Sequence, residues 1–285
     1  MSEPVNDRNV KAGGPFGDIP ERAGEPPSYD TTLSHPARTY DYWLGGKDNY
    51  EADRDIGDQV IEAMPNILHT VRTNRAFLRR AVEYLAGEAG IRQFLDIGTG
   101  LPTAENTHEV AQRVAPQSRI VYVDNDPIVL VHGRALLDST PEGATDYIQA
   151  DARDPELILR EAAATLDFSQ PVAVMMLAVL HFIPDSDDPG GIVGRLMDAV
   201  VPGSYLSVSA GASDIDTERM TRAVGDYNAQ RVAAQFIPRT HAAVSRYFDG
   251  LDFVDPGLVP VSQWRAPADP ARTVTMYAGI GRKPA

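Results

Sequence analysis

An α/β fold on a mostly parallel sheet is what the 285-residue sequence predicts. Three observations predict it. Short apolar runs alternate with helical patterns from Phe94 to about Ile280, as in a chain of βα repeats. The first of these runs, Phe94 to Ile97, meets Gly98 and Gly100 and then a helical pattern. That order reads as a buried strand, a tight turn and a helix start of the Rossmann-like kind. The run Pro171 to Val179 is apolar throughout, as befits a central strand covered on both faces.

Residues 1–30 are rich in Gly, Pro, Glu and Asp without periodicity and read as a disordered tail. Residues 31–90 read as a lid and helices packed on the main domain. Their first part, Tyr40 to Tyr50, crowds four aromatics around Gly45 and Gly46. Two readings of it stand: aromatics packing on the domain, or a lid over a ligand. Helices are expected over Ile56 to Met64 and Ile67 to Leu85, divided by Pro65. Arg72, Arg75, Arg79 and Arg80 are placed on the wet face of the second.

Residues 91–285 carry the sheet. A helix is expected over Thr103 to Ala115, then a strand from Arg119 to Val123. Asp126-Pro127 and Asp154-Pro155 each set an N-cap before a proline at the first helical position, flanking a short strand from Tyr147 to Ala150. After the central strand come a helix from Gly191 to Val200 and a strand from Tyr205 to Ser209. A helical insertion at about 214–248 precedes two strands, near Phe253 to Val259 and Thr273 to Ile280, that allow an antiparallel edge hairpin. Seven strands result, mostly parallel, with helices on both faces and a helical N-terminal cap.

Hydrophobic residues make up 43% of the chain and charged ones 23%, the proportions of a soluble globular protein. The net charge of −14 weighs against a nucleic-acid partner, which needs a basic surface. The absence of Cys excludes disulfides, thiolate metal sites and a Cys nucleophile. The six histidines are scattered without i, i+4 pairing, so no metal site is expected. No apolar run approaches the ~20 residues of a membrane span. The first residues lack the regions of a signal peptide, so a cytoplasmic location is expected.

Parallel α/β sheets take ligands at the carboxyl ends of their strands. Asp96, Asp124 and Asp151 lie at or near the ends of the first three strands, so three carboxylates face one crevice. Such a site would repel a pyrophosphate and suits a ligand offering donors and positive charge. S-adenosylmethionine (SAM) is one, with an ammonium, a sulfonium, a ribose diol and an adenine amine. The glycine turn by itself also fits a plain strand-turn-helix with a capping acid.

Asp96, Gly98, Gly100, Asp124 and Asp151-Ala152, in that order, resemble the first three motifs of class I SAM-dependent methyltransferases. Residues Ala37 to Asn49 and Asp96 to Thr103 resemble, more narrowly, a bacterial S-adenosyl methyltransferase family without an agreed substrate. The resemblance implies SAM as cofactor, with Asp96 near the methionine amino end, Asp124 on the ribose and Asp151 on adenine N6. It extends the cofactor set to Thr99, Asn125 and Leu177 beside the glycines. Pro102 stands where the common pattern has a third glycine. Tyr42, Lys47 and Asn49 are read as closing over the methionine carboxylate, with Lys47 equally a surface charge.

His181, just past the central strand, is the candidate base for the acceptor, against the plainer reading of a histidine hydrogen-bonded at a strand end. The acceptor is expected to be a small molecule, since the motif of amino-methylating nucleic-acid enzymes is absent. The other readings are a SAM-binding regulator or scaffold without catalysis and an NAD-type oxidoreductase.

Overall fold

The computed structural model describes residues 30–103, 105–136, 139–266 and 274–285. The expected tail thus lies outside the described residues, save for Asp30. Three helices come first: α1 (Pro36–Leu44), α2 (Glu51–Ala63) and α3 (Ile67–Glu83), the last running into a π-turn at Tyr84–Glu88. His35 caps α1 by accepting from the Ala37 N–H, and Gly45 ends it in the left-handed region at φ +84°.

Then β1 (Gln93–Ile97), α4 (Thr107–Val114), β2 (Arg119–Asp124), α5 (Pro127–Leu136), β3 (Ala144–Gln149), α6 (Pro155–Ala162) and β4 (Ala173–Leu177) alternate. They are followed by α7 (Pro189–Asp198), β5 (Tyr205–Gly211), α8 (Thr217–Asn228), α9 (His241–Ser245), β6 (Asp252–Phe253), β7 (Val259–Pro260) and β8 (Met276–Arg282).

The strands form one sheet in the order β3-β2-β1-β4-β5-β8-β6, with β7 also on β8. The first five strands are parallel, while β8 runs antiparallel to β5 from Tyr205–Arg282 to Gly211–Met276. Apolar residues of α6, α7 and α9 pack on one face, around Val174, Met176 and Leu206. Those of α3, α4 and α5 pack on the other, around Phe94, Tyr122 and Met175. Every residue of β1, β4 and β5 is buried, which accounts for the apolar runs.

Two details differ from the sequence reading. The helix expected from Thr103 begins at Thr107, because Glu105 takes φ +60° and breaks the helical path. Asn106 closes the connecting loop by accepting from the Thr103 N–H, and Glu109 accepts from the Asn106 N–H. The strand expected over Phe253 to Val259 is interrupted by a turn in which Gly257, at φ +87°, donates to Val254 O. Two short pieces pair with β8 instead of one, so the sheet has eight strands. Among the described residues no helix is long and apolar enough to cross a membrane.

Candidate functional site

The turn after β1 is built from backbone donors. Gly98 and Gly100 adopt φ +72° and +67°. The N–H groups of Gly98 and Thr99 donate to Val123 O at 2.8 and 3.2 Å, which folds the turn against β2. A Cβ on Gly98 would lie 2.6 Å from Val179, so this glycine is required by packing as well as by its dihedrals. Gly100 N–H donates to Asp124 Oδ2 at 2.8 Å.

The three strand-end acids do converge. All line one cavity of about 480 Å³, together with Gly98, Thr99, Gly100, Asn125, Ala152, Leu177 and His181. Asp96 is buried, and loss of solvent pushes its carboxyl up to about 6 although Thr107 Oγ1 donates to it at 2.7 Å. Burial also raises Asp124, against the two backbone N–H groups of Gly100 and Asp126 that favour its anion. Asp151 behaves differently. Half-buried, it accepts from Arg153 Nε and Nη2 at 2.8 and 2.7 Å, and these bonds hold its carboxyl below the usual range. Arg153 reaches Asp187 as well, tying the end of β3 to the loop before α7.

His181 is buried in a turn at Leu180–Phe182. Arg239 pins that turn by donating to Leu180 O and Ile183 O at 2.7 and 2.8 Å. The Gly211 N–H donates to His181 Nδ1 at 3.0 Å, which places the neutral ring's proton on Nε2. Burial, helped by the Arg239 cation, pushes the imidazole down to about 3. A ring that offers N–H at its free nitrogen and resists protonation is a poor general base, against the expectation from the sequence.

Tyr42, Lys47 and Asn49 are not brought to the cavity wall. Tyr42 donates to Asp58 Oδ1 at 2.7 Å, and Asn49 donates to Asp41 Oδ2 at 2.9 Å. Lys47 is exposed in the turn beyond α1. The same segment nevertheless walls the cavity through Tyr40, Trp43 and Leu44.

Two features escaped the sequence reading. Arg75 lines the cavity rather than the wet face, donates to Glu105 O at 3.2 Å and favours the Asp96 anion. Its place at i+4 from Val71 and i−3 from Leu78, both inward, was the available signal. Arg80 is also drawn in, donating to Trp264 O and Val261 O, while Arg72 and Arg79 are exposed.

The second feature is a buried charge group. Arg38 Nε lies 3.5 Å from Asp53 Oδ2 and 3.6 Å from Asp126 Oδ2, and His35 Nδ1 lies 3.3 Å from the same Asp126 atom. It joins α1 and α2 to the segment after β2. No local pattern announces it, because its members come from three separate elements.

A family model described as S-adenosyl methyltransferase matches residues 22–284. The chain is similar to a DUF574 family protein from Streptomyces avermitilis, with 47% identity and a TM-score of 0.86 over 90% of this chain and 99% of that one. It is also similar to a protein from Thermobifida fusca described as a candidate methyltransferase, with 42% identity and a TM-score of 0.82 over 90% of this chain and 97% of that one. No curated protein matches.

Proposed function

Because the chain belongs to the S-adenosyl methyltransferase family, and is thereby a SAM-dependent methyltransferase, we propose that it transfers a methyl group to a small-molecule acceptor inside the cavity described above. The observation that carries this reading is the size and lining of the site. One space of about 480 Å³ runs from three carboxylates to an apolar roof, a size suited to small ligands rather than to a macromolecular chain.

The donor set fits SAM. Asp96 would face the methionine ammonium, Asp124 the ribose diol and Asp151 the adenine amine, with Leu177 against the apolar parts. Asp124 fits this role because each of its oxygens holds one backbone N–H and keeps a lone pair for a hydroxyl. When bound, SAM supplies a methyl group on a positively charged sulfur, electrophilic toward a nucleophile approaching in line. The protein's part is then orientation and exclusion of water.

The roof comes from α1, α2 and α8, which cover the strand ends and place Trp43, Met64 and Tyr227 on the cavity wall. We read residues 31–90 as a cap that folds over SAM, and about 214–248 as an insertion completing the acceptor pocket. Calorimetry with SAM, S-adenosylhomocysteine, NAD and NADP tests the cofactor. Binding of the first two alone is expected, and preference for either dinucleotide would overturn the reading. Transfer from methyl-labelled SAM to small acceptors then tests the reaction.

A further inference from the structure

We propose that the acceptor is an uncharged, planar aromatic molecule bearing a phenol-like hydroxyl, held in the roof half of the cavity between α2, α8 and the Phe182–Phe236 pair. This inference rests on the methyltransferase reading above and names the substrate class of that same site.

Helix α3 runs along the cavity and displays its chemical gradient. Arg75 marks the Asp96 end, Asn74 and Thr70 come next, and Ile67 reaches the roof. Over these residues the helix advances about 12 Å at 1.5 Å per residue, the length of a small ring system. The roof is an apolar cluster of Met64, Met220 and Ala223, with Val60, Val224 and Phe236 packed on it. Phe182 and Phe236 are 5.7 Å apart and tilted by 56°. Flexible methionine thioethers and tilted rings accept a flat aromatic guest by face and edge.

Charge selects further. Among the described residues lining the cavity, the Lys and Arg side chains are Arg75 and Arg153, and they sit with Asp96 and Asp151 at the cofactor end. Asp41, an acid within α1 that also lines the cavity, is already engaged by the Asp48 N–H and by Asn49 of the turn that follows the helix. A carboxylate or ammonium in the roof half would lose its water without gaining a counter-ion.

Two polar atoms stand at the junction of the halves. Asn74 Nδ2 donates to Tyr40 OH at 3.0 Å and Tyr40 OH donates to Val71 O, which fixes the amide's orientation. Asn74 Oδ1 and Thr70 Oγ1 are then buried without partners, on residues 4% and 2% exposed that both line the cavity. A single hydroxyl on the guest would satisfy both, donating to Asn74 and accepting from Thr70.

Among the described residues here, His181 offers no free lone pair, since its Nδ1 is taken by the Gly211 N–H, and Asp96 and Asp124 are committed to the cofactor in the reading above. The acceptor must therefore give up its proton readily without a base, as a phenol (near the ~10 of tyrosine) does and an aliphatic alcohol does not. Thr70 donates to the hydroxyl oxygen, and the hydroxyl proton leaves to solvent as the new bond forms, so that no free oxyanion stands in the site. The oxygen lone pair forms the new C–O bond as the methyl C–S bond breaks, the electron pair going to sulfur. The products are an aryl methyl ether and neutral S-adenosylhomocysteine.

The test is a matched panel offered to the full chain: naphthol, decahydronaphthol, naphthoate and naphthylmethylamine. Binding is measured by calorimetry on the protein saturated with S-adenosylhomocysteine, and transfer with methyl-labelled SAM. Naphthol is expected to bind about tenfold or more tighter than each counterpart and to be the one methylated. Val224→Asp, on a half-buried roof position, is expected to cut naphthol turnover about tenfold or more with SAM affinity unchanged. Equal or tighter binding of the charged or saturated compounds overturns the proposal, and so does naphthol that binds without being methylated. These outcomes are read on wild type, so they hold whether or not the variant folds. Failure to bind S-adenosylhomocysteine at all would instead overturn the methyltransferase reading, and this inference with it.

Discussion

The Gly100 N–H donates to Asp124 Oδ2 at 2.8 Å, so the turn after β1 is held by the acid that ends β2. One carboxylate therefore shapes the glycine turn and, in the reading above, receives the ribose.

Asp124→Ala removes both functions at once. Hydrogen bonds to a charged group contribute ~1.5–3 kcal/mol each, so SAM affinity should fall about tenfold or more. Asp151→Ala should weaken it less, because a single adenine donor is lost there. Calorimetry reads both, and an unchanged affinity in Asp124→Ala would remove that residue from the ribose site.

Asp96 is held up to about 6 by burial, above its ordinary 3.8. Its contribution is complete at low pH and is lost as pH rises through about 6, because the folded state resists losing the proton. Asp96→Asn should thus stabilise the ligand-free protein at neutral pH by up to about 3 kcal/mol, the gap closing near pH 4. SAM affinity should rise with pH through about 6 in the wild type, as the ammonium favours the carboxylate, and lose this dependence in the variant. Urea denaturation and calorimetry across that range check the two halves.

His181 runs the other way. Its imidazole is lowered from 6.5 to about 3, so its contribution is present above 6.5 and is lost as pH falls toward 3. As a ring that stays neutral, it should leave no limb in the pH–rate profile near neutrality. His181→Asn should keep turnover within about tenfold, whereas loss of a true base costs ~100-fold or more. A loss of that larger size would reinstate His181 as the base.

Arg38 is 3% exposed and lies between Asp53 and Asp126. Arg38→Met leaves two carboxylates buried without their cation, which should cost about 3–5 kcal/mol in denaturant unfolding. A loss under about 1 kcal/mol would show the group to be solvated like a surface pair.

Trypsin reports on the cap. Lys47 is exposed beyond α1, whereas Arg38 is buried and should resist cleavage in either state. If the cap closes on SAM, saturating SAM should slow cleavage after Lys47 several-fold. Equal rates would make α1 a fixed wall.

Much of this was legible in the chain. The Asp-Pro caps of α5 and α6 are where they were expected, with Asp126 accepting from the Ile128 N–H and Asp154 from the Leu157 N–H. The acids at the strand ends were legible too, because a parallel sheet turns spacing along the chain into convergence in space. What stayed hidden depends on partners far away in sequence. The run Arg72 to Arg80 looks like one wet face, yet Trp264 and Val261 draw Arg80 inward and Asp96 faces Arg75. The roof arises from contacts of α2 with α8, which no local periodicity encodes.

The position of β8 has a consequence for how the chain acquires its structure during synthesis. β5 lies between β4 and β8, and β8 is supplied by residues 276–282. Until those residues emerge, β5 keeps an open row of backbone donors and acceptors, a template for mispairing with another chain. Lys283 then closes the assembly, its Nζ donating to Met197 O in the last turn of α7 and to Val200 O just after it, and its carbonyl accepting from the Gly203 N–H. Removal of residues 276–285 should therefore yield a protein that aggregates on the ribosome's timescale rather than one that only loses activity. The site, walled in part by Gly211 of β5 and Met276 of β8, is thus hostage to the arrival of β8.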